Sequence, residues 1–311
     1  MIIEKELYPN RGVQHIITKE DEDGIFHAFI KELEPVEHIC LDNFYANINS
    51  LDVKKVSSSI EMPDPTMAAS YELFDNQLLY IDGMYLYTID HELLHLASRV
   101  ETDKYIHCGF CQLDKETETS FGIGLDEGYT VILDERYFKD RISGKAEYIK
   151  KTYPITRLLS ANLEDLLGQE IMEKYYFDAD LGSLIDEMTK YCPIQRCIQF
   201  IADLDIIHSV NRKIALTNYE YANVKHAIED AISFLTEMAL YNVYYNYEMG
   251  YISLKSLADI AMSIRDYSKM CLSVIGLSNG AKKFTTTPMS DDKFFKLCKY
   301  SSMSAKKNAR L

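Results

Sequence analysis

Residues 91–95 read His-Glu-Leu-Leu-His. On a helix, side chains four positions apart stand one above the other on the same face, with Cβ atoms roughly 5–6 Å apart. His91 and His95 can therefore each turn an imidazole nitrogen towards a single zinc ion. Glu92, one step round the helix, then stands beside the ion rather than on it, where a general base can take a proton from water. Two imidazoles leave such an ion short, because a catalytic zinc site uses three protein ligands and keeps one position open. The expected third ligand is Glu127, in the segment GLDEGYT. A carboxylate there, on a helix beside the histidine helix, completes a His, His, Glu set.

These side chains need elements to hold them. Tyr85, Leu86, Ile89, Leu93, Leu94 and Leu96 supply an apolar side for a helix, and no Gly or Pro interrupts Met84 to Val100. For the helix bearing Glu127, Gly124 offers a bend, Asp126 an N-cap, and Tyr129, Ile132, Leu133 and Tyr137 an apolar face. Ahead of the first helix, Ala69 to Ile81 reads as a hairpin about Asp75-Asn76. Between the two helices, Tyr105 to Leu125 reads as a second hairpin about the polar turn DKETET. Glu20 to Ser57 predicts two helices divided near Pro35.

After Asp126 the pattern is helical. Leu158–Tyr176, Leu181–Tyr191, Ile194–Val210, Tyr219–Met249 and Leu254–Ile275 carry apolar residues at three- and four-residue intervals. The expected class is α+β, with a small β-sheet and the active-site helix in the N-terminal half and a mainly helical C-terminal half. The division falls at residues 1–140 and 141–311. The broad apolar face of Tyr219–Met249 reads as core packing, and the tail after Ala281 as a frayed terminus.

HELLHLAS followed by GLDEGYT resembles the gluzincin branch of zinc metallopeptidases, in which HExxH lies on one helix and a Glu in an N-E-G or D-E-G segment of a later helix is the third ligand. The resemblance spans roughly Ala69 to Phe138. It implies a zincin-like fold, Zn2+ held by His91, His95 and Glu127, Glu92 polarising water, and a peptide or protein substrate laid along the hairpin around Tyr71 to Ile81. Thermolysin-like members carry an acidic residue four positions after the ligand Glu, where this chain has Val131. The partner of His91 is therefore left to Asp126, Asp134 or Asp90. For the oxyanion of a tetrahedral intermediate the candidates are Tyr153, just before Pro154, and, competing with it, Tyr129 and His208.

Composition narrows the classes. Lys plus Arg total 33 against 48 Asp plus Glu, a net charge of −15, which repels nucleic acid and anionic membranes. No stretch approaches the roughly 18 apolar residues of a membrane span, and Glu4, Lys5 and Glu6 break any secretory apolar core, so a cytoplasmic protein is expected. The seven cysteines are odd in number and scattered, which favours reduced thiols. A structural zinc site from Cys108, Cys111, Cys192 and Cys197 is disfavoured, because a three-residue spacing along one strand would set Cys108 and Cys111 on opposite faces. The rival to a peptidase is a non-catalytic zincin-like module that serves as a binding or regulatory protein. Val131 motivates it, and an intact Glu92 speaks against it.

Overall fold

The computed structural model describes residues 24–63, 67–149, 151–211, 213, 216–269, 273–274 and 284–310. The described residues are α+β, about 61% helix with small sheets. It divides into two units, the first comprising Met1–Ala161 with Gly168–Leu184 and the second Asn162–Leu167 with Ile185–Leu311.

The first unit opens with α1 (Ile25–Leu33) and α2 (Asp42–Ile48), separated by a turn that includes Pro35. A three-stranded sheet follows, formed by β1 (Asp52–Val56), β2 (Ala69–Glu72) and β3 (Gln77–Ile81) in the order β1-β3-β2. The β2–β3 hairpin is the expected one. Asn76 sits in its turn at φ 47°, and its side-chain amide donates to the Asn47 carbonyl and the Ser50 hydroxyl. Strand β1, parallel to β3, lies where the pattern predicted helix. Only Val56 of its five residues is buried, so it lacks the alternation that betrays a strand.

The histidine helix, α3 (Ile89–Ala97), is shorter than expected, because Tyr85–Tyr87 forms a separate 3-10 turn. Ser98 closes it, donating its hydroxyl to the Leu94 carbonyl at 3.0 Å. A four-stranded meander then runs through β4 (Arg99–Glu101), β5 (Tyr105–Cys108), β6 (Cys111–Asp114) and β7 (Ser120–Phe121). The DKETET turn joins β6 to β7, with the Asp114 carboxylate accepting from the backbone N–H groups of Glu116 and Thr117. A second turn at Gly109-Phe110 was not expected, and it corrects the cysteine geometry. Cys108 and Cys111 are direct cross-strand partners, so they share a face.

Helix α4 (Ile123–Phe138) begins after Gly122, which places Gly124 and Asp126 inside it. Asp126 is therefore not the N-cap, and its side chain is free for another role. Four more helices complete or leave the unit: α5 (Lys145–Ile149), α6 (Pro154–Leu167), α7 (Gln169–Phe177) and α8 (Leu181–Met188). The first unit thus reaches past residue 140. Lys145 of α5 pairs with Asp90 and Asp134, while Glu173 of α7 pairs with Arg136 and accepts from the Tyr137 hydroxyl. Periodicity alone does not reveal which neighbours such buried charges will find.

The second unit contains α9 (Ile194–His208), α10 (Asn218–Glu248), α11 (Leu254–Ser268), the short pair β8 (Ser273–Val274) and β9 (Phe284–Thr285), and α12 (Asp291–Asn308). Helix α10 starts at a capping box formed by Thr217 and Glu220 and packs on α9, α11 and α12. Most of the expected tail is not frayed: Ser290 caps α12, and Phe294 and Ala305 are buried. No helix among the described residues is long and apolar enough to cross a membrane.

Candidate metal centre

Helices α3 and α4 pack against each other within the first unit. Their contact brings His91, His95 and Glu127 together. His91 Nε2 lies 3.0 Å from Glu127 Oε2 and 3.2 Å from His95 Nε2, and His95 Nε2 lies 3.8 Å from Glu127 Oε2. Ligand atoms about 2.0–2.1 Å from a tetrahedral zinc ion stand about 3.3–3.4 Å from one another. The three observed edges bracket that value, and two nitrogens with one carboxylate oxygen are a donor set zinc favours.

Burial alone would raise the Glu127 pKa, but the bonds from His91 and His95 outweigh it and hold the carboxyl well below its usual range, as an anion. The side chains of His91 and Glu127 remain 12% and 16% exposed, which leaves the centre open to solvent on one side. Glu92 belongs to the same helix turn as His91 but does not join the triangle. Its Oε2 accepts from the Tyr71 backbone N–H at 2.8 Å, and burial raises its pKa above the ordinary carboxylate range. Tyr71 lies on β2, the edge strand, which packs against α3. The candidate base is thus held between the histidine helix and an edge strand of the sheet.

The other ring nitrogen of His95 is held from behind. Asp126 Oδ2 lies 3.2 Å from His95 Nδ1, while Asp126 Oδ1 accepts from the Phe110 N–H at 3.0 Å. Among the carboxylates named as partners for His91, Asp126 therefore serves His95 instead. The approach requires Gly109, at φ 52°, because a Cβ there would sit 2.0 Å from Asp126 Oδ1.

Cys108 also reaches this side of His95, with Sγ 3.7 Å from Nδ1. Burial pushes its thiol up, so it stays protonated at neutral pH. Together, His95, Cys108 and Asp126 form a second group of donor atoms close enough to hold an ion. The sequence reading missed this contact. It depends on Arg99, two residues after α3 ends, pairing with Cys108 across β4 and β5.

Asp90 and Asp134 turn to Lys145. Val131, where thermolysin-like members carry an acid, is buried in α4.

Of the three oxyanion candidates, Tyr129 is fully buried, with its ring against Phe110 and Tyr176. His208 ends α9 in the second unit. Tyr153 stands beside the centre, its ring centroid 6.4 Å from that of His91. Its φ of 43° is left-handed for a bulky residue that precedes a proline, a conformation that costs of order 1–3 kcal/mol and gathers at functional sites.

Cys192 and Cys197 are buried in the second unit, the Cys197 thiol directed at the Cys192 and Pro193 carbonyls. Comparison of the chain with protein-family models, with curated proteins and with solved structures finds no match.

Proposed function

We propose that this chain is a zinc-dependent metallohydrolase of zincin-like, gluzincin-type architecture that cleaves peptide bonds. The observation that carries the reading is the triangle of His91, His95 and Glu127 donor atoms, with Glu92 held just outside it. His91, His95 and Glu127 would hold the ion. When bound, zinc supplies Lewis acidity to a carbonyl oxygen and to water.

The protein's own groups do the rest. Glu92 accepts a proton from the attacking water and passes it to the leaving amine. The Tyr153 hydroxyl donates a hydrogen bond to the carbonyl oxygen as negative charge gathers there. Strand β2, at the sheet edge beside α3, offers an extended peptide a strand to pair with. Cys108, Cys111, Cys192 and Cys197 stand outside any disulfide, which fits a reducing, cytoplasmic setting.

One observation favours a second reading, a non-catalytic zincin-like binding or regulatory protein. Glu92 already accepts a backbone hydrogen bond and could serve structure alone. Glu92→Gln separates the two, because the amide oxygen can still accept from Tyr71 while the base is lost. With unfolded casein as substrate and zinc content measured alongside, the variant is expected to keep its zinc and lose about 100-fold or more in kcat. A zinc-loaded wild type that cleaves no faster than the variant supports the binding protein.

A further inference from the structure

Helix α12 gathers positive charge in a chain whose net charge is −15. Residues 291–310 hold six Lys or Arg against two Asp, and no acidic residue follows Asp292. Asp291 is already paired with Arg265 and Lys269, and Lys293 lies 3.7 Å from Asp230. Lys296, Lys299, Lys306, Lys307 and Arg310 are exposed and make no ion pair among the described residues.

Positions 296, 299, 303, 306 or 307, and 310 follow one another at three- and four-residue steps, so they form a single stripe. The opposite face is the buried one, where Phe294 packs with Leu240 of α10 and Ser301 donates to the Glu237 carbonyl. The stripe is not purely polar. Met303 sits in its middle, 65% exposed, with Phe295 and Tyr300 at its two borders, 59% and 45% exposed. The helix dipole favours Lys306 and Lys307 in the last turn, but not Lys296 and Lys299 in the middle of the helix. Like charges at such spacing also destabilise a helix, so the stripe is not explained by stability.

We propose that the exposed face of α12 docks an acidic protein segment in which carboxylates are interspersed with apolar side chains. The carboxylates answer the five cations, and the apolar groups cover Met303 and its neighbours. Eighteen residues of helix reach about 27 Å, the span of about eight extended residues. The overall charge selects against broader anionic partners. A bilayer or a duplex also meets the acidic remainder of the chain across a Debye length of about 8 Å, whereas a narrow segment meets the stripe alone.

The test titrates the full chain into a dye-labelled peptide of Glu-Glu-Leu repeats, about ten residues long, and reads fluorescence anisotropy. The expected result is saturable binding at low ionic strength that weakens as salt is raised. Lys296→Glu combined with Lys299→Glu is expected to weaken it about 10-fold or more, because two attractive surface pairs become repulsive. Lys31→Glu combined with Lys54→Glu makes the same change in net charge at exposed positions of the first unit, and is expected to bind as the wild type does. Met303→Ser is expected to weaken binding of this peptide but not of one built from Glu-Glu-Ser repeats. Equal losses in the two double variants would reduce the effect to net charge and overturn the proposal, as would a wild type that binds no peptide at low ionic strength. Tighter binding of phosphatidylserine vesicles or of a DNA duplex would overturn it in favour of that partner. Self-association that Lys296→Glu with Lys299→Glu abolishes, in place of peptide binding, would overturn it in favour of a second copy of the chain.

Discussion

Tyr153 sets a strained backbone beside the candidate metal centre. Its ring lies beside His91, and its backbone occupies a conformation that neither an aromatic side chain nor a following proline favours. Strain of this kind persists only where the surroundings over-determine it. Tyr153→Phe removes the hydroxyl and leaves ring and backbone in place. If that hydroxyl steadies the developing oxyanion, steady-state kinetics will show kcat reduced by about 100-fold, with zinc content unchanged. An unchanged kcat would assign the stabilisation elsewhere. Gly109 and Asp126 illustrate the complementary case, a residue with no side chain that lets a carboxylate reach both His95 and the Phe110 N–H.

Among the elements, the crossing of α4 and α6 sets where Tyr153 can stand. Gly128 follows Glu127 directly, and a Cβ there would come within 2.7 Å of the Thr156 carbonyl group. The glycine of the D-E-G segment thus admits the first turn of α6 against α4, three residues beyond Tyr153. In Gly128→Ala the obstruction is backbone, so the helices must separate. The expected cost is about 1–3 kcal/mol of stability, read by chemical denaturation. A loss of kcat larger than the loss of zinc affinity should accompany it, because Tyr153 moves with α6 while the ligands stay on α3 and α4. Equal losses of both would place the effect at the ligands instead.

Across the whole molecule, what the sequence reveals is whatever obeys a local period. The four-residue interval of His91 and His95, the hairpin about Asp75-Asn76 and the long face of Tyr219–Met249 are all repeats of a single geometry, legible without neighbours. Glu127 is legible through ligand counting, since a zinc site needs one more donor than HExxH provides. Other features depend on partners distant in the chain. Asp126 looks like an N-cap until the helix is seen to start after Gly122. Cys108 meets His95 only through the register of β4 and β5. Lys145 and Glu173 carry the first unit past residue 140 through buried ion pairs that no pattern announces.

The central claim is that one divalent ion is held jointly by α3 and α4. Zinc binding to the purified wild type, His91→Ala and Glu127→Ala, measured by competition with a chromogenic chelator, tests it most directly. The wild type should bind one zinc per chain, and each variant should lose more than roughly 100-fold in affinity, beyond what an outer partner alone contributes. Glu127→Ala binding zinc as tightly as the wild type would contradict the account.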